Sequence, residues 1–411
     1  MARLYNTFEF VGNVSIPKPE RFLDVQESRS GWMGHRLNFA VQESKTNSVY
    51  VEMYGGYSKA KSYPVLTFGK GTENVKGAKL EIPWSDRLNE ESVNMVADFK
   101  KFVIDFTTDH ELKEEINKIR FEIRSIEYKD EPTSEDNEKL AALKKELKEK
   151  GKDRYEFIHE YDAVLFLSEN LEAYKAHKFK VTGNVDYNYH NGNFYRKFKP
   201  TTIEIVKNEE PSRLRATMDL FFTKDAIDDK DFDKDKKIHL NTYVLSYDSN
   251  AKKDAFFPQQ VVINAQKIDM NNEAHVKRLE FLKNKFAVKG KGVYHLPWLV
   301  NVFRGADRVE FTEKDLTPTQ RESIEFGLSK LEDYIPKGGF TGETTEENRL
   351  IKPLLQLFDT ANDFRDGVLE APYEAEDLDY VPVAKEDKKV KEEEVKSEDI
   401  AADIELDDLF S

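Results

Sequence analysis

Apolar and polar residues alternate from the start of the chain. Thr7-Phe8-Glu9-Phe10-Val11-Gly12-Asn13-Val14 reads as a strand, and its glycine marks a bulge or sharp bend. Leu37, Phe39 and Val41 alternate with Arg36, Asn38 and Ala40, and Val49, Val51 and Met53 keep the same period ahead of Gly55-Gly56. From about residue 57 the rhythm changes. Short strands are expected at 63–68 and 79–82, and then Leu112, Ile116, Ile119, Ile123 and Ile126 recur at spacings of four and three, a helical seam. Glu131-Pro132 interrupts it, and Thr133-Ser134-Glu135-Asp136 offers a new cap. Leu140, Leu143 and Leu147 form a second stripe closed by Gly151. This predicts an antiparallel helical hairpin, a packed arm with charged outer faces.

The period of two then returns. Tyr161–Leu167 reads as an apolar strand and Ser168–Ala176 as a short helix. Lys178–Tyr189 and Phe194–Val206 read as two strands joined by Asn191-Gly192, the signal of a type I′ turn. A second block repeats the rhythm, with strands at 213–222, 238–247 and 256–268, a helix at 272–286, and strands near 293–303 and 307–311. Three strands, a helix and two strands is the order of an OB-fold, a five-stranded Greek-key barrel. Helices near 318–334 and 345–365 are expected to end the folded body. The expected fold is therefore mainly β with α insertions. An OB-fold domain spans 1–207 and is interrupted by a strand and helical-hairpin region at about 57–157. A second OB-like barrel spans 211–311, a helical segment 312–369, and a disordered acidic tail 370–411.

Composition changes this picture in three places. The chain has 411 residues, enough for two or three domains with real cores. It has no cysteine, which excludes disulfides, thiolate metal sites and cysteine nucleophiles. Its net charge of −15 is unevenly spread: Glu370–Ser411 holds 16 acidic and 5 basic residues, net −11, leaving 62 acidic and 58 basic, net −4, in 1–369. The folded part is thus near neutral and can carry a local basic face. No apolar run reaches the ~18 residues of a membrane span, and the first residues lack a signal peptide's apolar stretch. A cytoplasmic location is expected.

The chemistry concentrates in the hairpin at 175–207. Lys175, Lys178, Lys180, Arg196, Lys197, Lys199 and Lys207 stand against only Asp186 and Glu204, interleaved with Phe179, Tyr187, Tyr189, Phe194, Tyr195 and Phe198. Cations that track phosphates beside rings that stack on unpaired bases are what single-stranded nucleic acid requires. An ordinary hairpin with core aromatics and solvated lysines fits the same residues. Trp32 and Trp84 have no assigned partner, and Trp298 beside Pro297 is expected to be buried. Catalytic patterns fail. Asp229, Asp231, Asp233 and Asp235 start like a calcium loop, but Lys234 holds the glycine position and Leu240 that of the closing carboxylate. The histidines lack metal-ligand spacing, and no nucleophile elbow or phosphate loop is present. No enzyme activity, cofactor or metal is expected.

Several stretches, taken in order, resemble the bacterial and phage single-stranded DNA-binding protein family. They are Phe8-Glu9-Phe10-Val11-Gly12-Asn13-Val14, Ala163-Val164-Leu165-Phe166, Asn170-Leu171-Glu172-Ala173-Tyr174-Lys175, Phe179-Lys180-Val181-Thr182-Gly183-Asn184-Val185, and Tyr195-Arg196-Lys197 with Thr201-Thr202-Ile203-Glu204-Ile205-Val206. The match covers about 5–55 and 158–207. It implies a DNA-binding sheet face with Phe166 as a stacking ring, alongside Lys178, Lys180, Tyr187, Tyr189, Arg196, Lys197 and Lys199. The family's stacking tryptophan on the hairpin is absent, and some hundred residues replace its short loop between the second and third strands. The end of the chain, Asp403 to Ser411, resembles the family's acidic tip. The resemblance implies that Asp407, Asp408, Leu409 and Phe410 dock replication and recombination proteins, although Ser411 follows the phenylalanine. The size implies a phage-encoded member, in the bacterial host cytoplasm, and a homo-oligomer fits the family. The rival readings are a β-rich phage structural or scaffold protein and an RNA-binding module.

Overall fold

The computed structural model describes residues 6–308, 316–335, 341–355 and 367–382. The chain is mostly β, and nearly all its strands join one large mixed sheet. The first block supplies β1 (Thr7–Ser15), β2 (Trp32–Ser44), β3 (Asn47–Ser58), helix α1 (Glu160–Tyr174), β4 (Lys178–His190) and β5 (Asn193–Val206). β1 pairs with β2 and β4, β2 with β3, and β4 with β5, all antiparallel. The second block supplies β6 (Arg213–Phe222), β7 (Lys237–Asp248), β8 (Lys253–Asn264), helix α2 (Glu273–Asn284), β9 (Tyr294–Arg308) and β10 (Thr341–Pro353). Here β6 pairs with β7 and β9, β7 with β8, β9 with β10, and β8 with β10 in parallel through Val262 and Arg349. The second circuit closes in the order 1-2-3-5-4, and the first has the neighbours 3-2-1-4-5 of the same arrangement, consistent with the expected OB-like architecture.

The two circuits are fused. β1 pairs with β6, Thr7 to Val11 against Thr217 to Arg213. Their interiors join in one apolar cluster that runs from Phe39, Phe10 and Val181 to Trp298 and Phe286. Trp298 is fully buried, as its sequence setting indicates. The Asn191-Gly192 turn is left-handed at both residues, φ 49° and 86°, which a type I′ turn requires.

The circuits differ in how the third strand meets the fifth. In the second, β8 and β10 pair. In the first, no ladder joins β3 to β5 among the described residues. The lower part of β5 (Thr202–Glu204) pairs in parallel with a strand from the long insertion, Phe102–Asp105, and Arg154–Phe157 lies beyond that. Between these two insertion strands rises the expected arm, helices His110–Glu127 and Ser134–Lys150, with Ile116, Ile119, Ile123 and Ile126 buried. Charges fix its root. Lys101 and Arg120 reach Glu156 at 3.0 and 2.6 Å. Burial opposes ionisation of Glu156, yet these cations and Arg154 hold its carboxyl down at about 2. Lys113 bonds Glu204 at 2.9 Å and the Ile205 carbonyl at 2.6 Å.

Several expectations need correction. Residues 161–167 are not a strand but the first half of α1. Ala163, Val164, Leu167 and Leu171 are its buried apolar residues, a helical spacing that the local run of β-formers hid. The expected helix at 345–365 is instead strand β10 up to Pro353, because the second barrel needs a fifth strand beside β9. The strand expected at 293–303 continues without a break to Arg308 as β9, residues 309–311 of the second expected strand lie outside the described residues, and only Pro318–Glu325 and a short turn at Leu331–Tyr334 are helical in the described part of 318–334. The acidic tail does not begin at Glu370. Leu369–Glu370 pairs with Tyr294–His295, and Leu378 is buried. The docking tip Asp407, Asp408, Leu409 and Phe410 lies outside the described residues.

Candidate nucleic-acid interface

The hairpin of β4 and β5 does not stand free. Tyr187 is buried, and its hydroxyl donates to Gln259 at 3.0 Å. Its ring lies 5.9 Å from that of Phe257, and burial pushes its phenol up. A ring so enclosed offers no face to a base, so this expected contact is corrected. Tyr189 packs against Phe194 and Tyr380. Phe166 sits on α1, half-buried among Phe106, Tyr155 and Phe157. Its strand assignment was wrong and its faces are occupied.

The hairpin cations are engaged as well. Lys178 donates to the carbonyls of Asn208 and Glu210, each at 2.7 Å. Lys180 pairs with Glu204 and Lys199 with Asp186, each at 2.5 Å. These three serve the hairpin's own architecture. Arg196 and Lys197 point elsewhere: Arg196 reaches Glu346 of β10 at 2.9 Å, and Lys197 reaches Glu52 of β3 at 2.5 Å. Both line a cleft of about 150 Å³ where β3 and β5 fail to pair, with Asn38, Tyr50, Glu52, Phe198 and, from the second barrel, Arg304.

This cleft opens onto the outer face of β2 and β3, which alternation along both strands builds. Inward residues Leu37, Phe39, Val41, Val49, Val51 and Met53 fill the core. Outward residues on the same strands include Trp32, Arg36, Asn38, Tyr50, Glu52 and Tyr54. Trp32, Tyr50 and Tyr54 are 37%, 49% and 42% exposed. Two glycines hold two of the rings against the sheet. Gly34 and Gly56 face each other in the ladder. A Cβ at Gly34 would collide with the Tyr54 hydroxyl, and one at Gly56 would come within 2.8 Å of the Trp32 indole nitrogen. The indole N–H also donates to the Tyr54 hydroxyl at 3.3 Å. The rings thus form a preset pair over bare backbone.

Cations flank the rings. Arg36 lies 5.8 Å from the Tyr54 ring centre and Arg304 lies 5.7 Å from that of Tyr50, within cation–π range. Glu52 ties Arg36 (3.7 Å) to Lys197, and Glu346 ties Arg304 (3.7 Å) to Arg196. Four cations stand against Glu52, Glu346 and Asp24, which faces Arg36 across the neighbouring strand Leu23–Glu27, so the face keeps a small net positive charge. Beneath it, the Tyr54 N–H donates to Glu160 at 2.9 Å. Burial is the main cause raising the Glu160 carboxyl to about 7, with Asp186 and Glu52 adding to it and the Tyr54 N–H and Lys199 opposing.

Of the expected site residues, the structure brings Arg196 and Lys197 to this face. The same face also carries Trp32, Arg36, Tyr50, Tyr54 and Arg304, which were not among the expected site residues. The signal was present: the outward half of each alternation carries the rings, and Trp32 was already without a partner. Arg304 could not be found this way, since only the fusion of the barrels brings it in. Among the described residues no helix is long and apolar enough to cross a membrane, and no group of three or more His, Asp or Glu could hold a metal ion.

No protein-family model matches the chain, and no curated protein matches it. Among solved structures it is similar to a deletion mutant of the single-stranded DNA-binding protein from Thermus aquaticus. Identity is 11%, with 75% of this chain and 90% of that one covered, and the TM-score is 0.26. So low a score does not establish a shared fold, and the architecture described above rests on its own strand pairings.

Proposed function

We propose that the chain is a non-catalytic single-stranded DNA-binding protein built on two fused OB-folds, and that DNA lies across the outer face of β2 and β3 and into the cleft beside β5. The observation that carries this is the preset ring pair of Trp32 and Tyr54, with Tyr50 four residues along the same strand, exposed on a sheet face bordered by Arg36, Lys197, Arg196 and Arg304. Exposed rings normally cost solubility. Here they lie beside cations on rigid strands, the arrangement in which stacking contributes about 1–3 kcal/mol per base with little sequence preference. On this reading the protein works in replication, recombination or repair, and the acidic tip Asp407-Asp408-Leu409-Phe410 recruits partner proteins.

The test is optical. Trp298 is buried and Trp84 is packed against Arg87, His159 and Tyr161, so added DNA acts chiefly on Trp32. Oligo-dT should quench tryptophan fluorescence, duplex of equal length should not, and Trp32→Phe should remove most of the change. Equal binding of duplex and single strand would count against stacking.

A further inference from the structure

A second charged surface lies on α2 and the turn that follows it. Residues 277–291 carry six cations, Lys277, Arg278, Lys283, Lys285, Lys289 and Lys291, against one carboxylate, Glu280. They occupy the exposed side of α2 and the turn that follows it. Lys277 is paired with Glu273 and Lys283 with Asp229. Among the described residues, Arg278, Lys289 and Lys291 have no carboxylate partner, and all three are exposed. Lys285 lies 4.9 Å from the ring centre of Phe281, which is 46% exposed. Phe281 stands three residues after Arg278 and four before Lys285, so a single helix face presents a ring between two cations.

This surface differs from the hairpin in one respect that matters for binding phosphate. Four of the hairpin's cations, Lys180, Lys199, Lys197 and Arg196, already face a carboxylate, Glu204, Asp186, Glu52 and Glu346 in turn. A phosphate arriving there must displace a carboxylate. At Arg278, Lys289 and Lys291 it displaces only counterions and water, the exchange that drives polyanion binding. β9 connects the two surfaces. It starts at Tyr294, just past the basic turn, and carries Arg304 into the cleft. Ten residues of strand run from Tyr294 to Arg304, at most about 33 Å at ~3.3 Å per residue.

We propose that the exposed face of α2 and the turn after it form a second phosphate-binding surface for the same single strand, engaged only by strands long enough to reach it from the cleft. This rests on the reading of the β2–β3 face given above. Contact there is to the backbone, with Phe281 offering one stacking surface, so it lengthens the site without adding sequence preference.

The experiment compares full-length protein with an Arg278→Ala/Lys289→Ala/Lys291→Ala variant, each titrated with oligo-dT of about 8 and about 35 nucleotides, the shorter within the span of one OB barrel. The substitutions are at exposed positions, so melting should match the parent protein. At 0.15 M salt the ~8 Å screening length damps the long-range effect of these charges on the short complex. The short oligonucleotide should bind both proteins within twofold. The long one should bind the variant about tenfold more weakly, with a salt slope smaller by about 2, the value for three lost single-strand phosphate contacts. An unchanged affinity and slope for the long oligonucleotide overturns the inference, as does equal weakening for both lengths. Failure of the underlying reading shows differently: the parent protein would then bind neither oligonucleotide with Trp32 quenching.

Discussion

The two barrels put the same face to opposite uses. On the first, the outer side of β2 and β3 is open, and Trp32, Tyr50 and Tyr54 meet solvent. On the second, the outer side of β6, β7 and β8 carries Phe221, Tyr243, Leu245 and Phe256, and it is covered. Residues 367–382 cross it, placing Ala371, Tyr373 and Leu378 against those side chains in an apolar cluster of their own. The strap then continues to Tyr380, whose hydroxyl donates to Asp248 at 2.5 Å and whose ring packs on Tyr189, Phe194 and Phe257. Ring content alone does not distinguish the faces. What separates them is what lies over the rings: two glycines and flanking arginines keep the first pair flat and free, whereas a length of the chain's own backbone seals the second. The strap also clamps the tip of the β4–β5 hairpin to the second barrel, which makes that hairpin a brace between barrels.

The largest difference should come from removing the rings themselves. Trp32→Ala with Tyr54→Ala should weaken single-strand binding by about 2–6 kcal/mol, about 1–3 per ring, while Tyr243→Ala on the covered face should leave affinity unchanged. Isothermal titration at one salt concentration checks both. If Tyr243→Ala weakens binding as much, the strap does not seal that face in solution.

Opening the strap should act on stability. Tyr373→Ala with Leu378→Ala removes two side chains from the covered cluster and should cost about 2–5 kcal/mol in urea unfolding, with single-strand affinity of the folded protein unaltered. A gain in affinity would mean that the second face also binds.

Glu160 lies under the open face alone. Its folded carboxyl, raised to about 7, stands above its unfolded value. It therefore favours folding most below the unfolded value, and that contribution is lost as pH rises through about 7. Glu160→Gln should raise stability at pH 8 by about 1–2 kcal/mol relative to pH 5, measured by melting at both. An equal effect at the two pH values contradicts the assignment.

The smallest effect belongs to the paired cations. Lys197→Ala should lower the salt slope of binding by less than about 0.7, because Glu52 already neutralises part of that charge. Lys199→Ala, tied to Asp186, should change it still less.

Much of the framework was legible in the sequence. Period-two alternation placed β1, β2 and β3 and the hairpin, and the seam of Ile116, Ile119, Ile123 and Ile126 placed the arm. The errors have physical causes. Residues 161–167 are rich in strand formers, but β3 leaves room for a helix there: a Cβ at Gly55 would collide with the Tyr161 backbone. Residues 341–353 look neither apolar nor alternating, and only pairing to β9 makes them a strand. The proposed site differs from the expected one because charge and rings cluster along the hairpin in sequence. In space those charges meet Glu52, Glu204, Asp186 and Glu346, two of them on other strands well away in the chain.

Photo-crosslinking tests the central claim most directly. Full-length protein bound to oligo-dT carrying 5-iododeoxyuridine, irradiated and mapped by mass spectrometry, should crosslink at Trp32, Tyr54 and Tyr50, and not at Tyr187, Tyr243 or Phe256. Crosslinks confined to the hairpin tip at Phe194 and Tyr195, or to the covered face of the second barrel, would contradict the account.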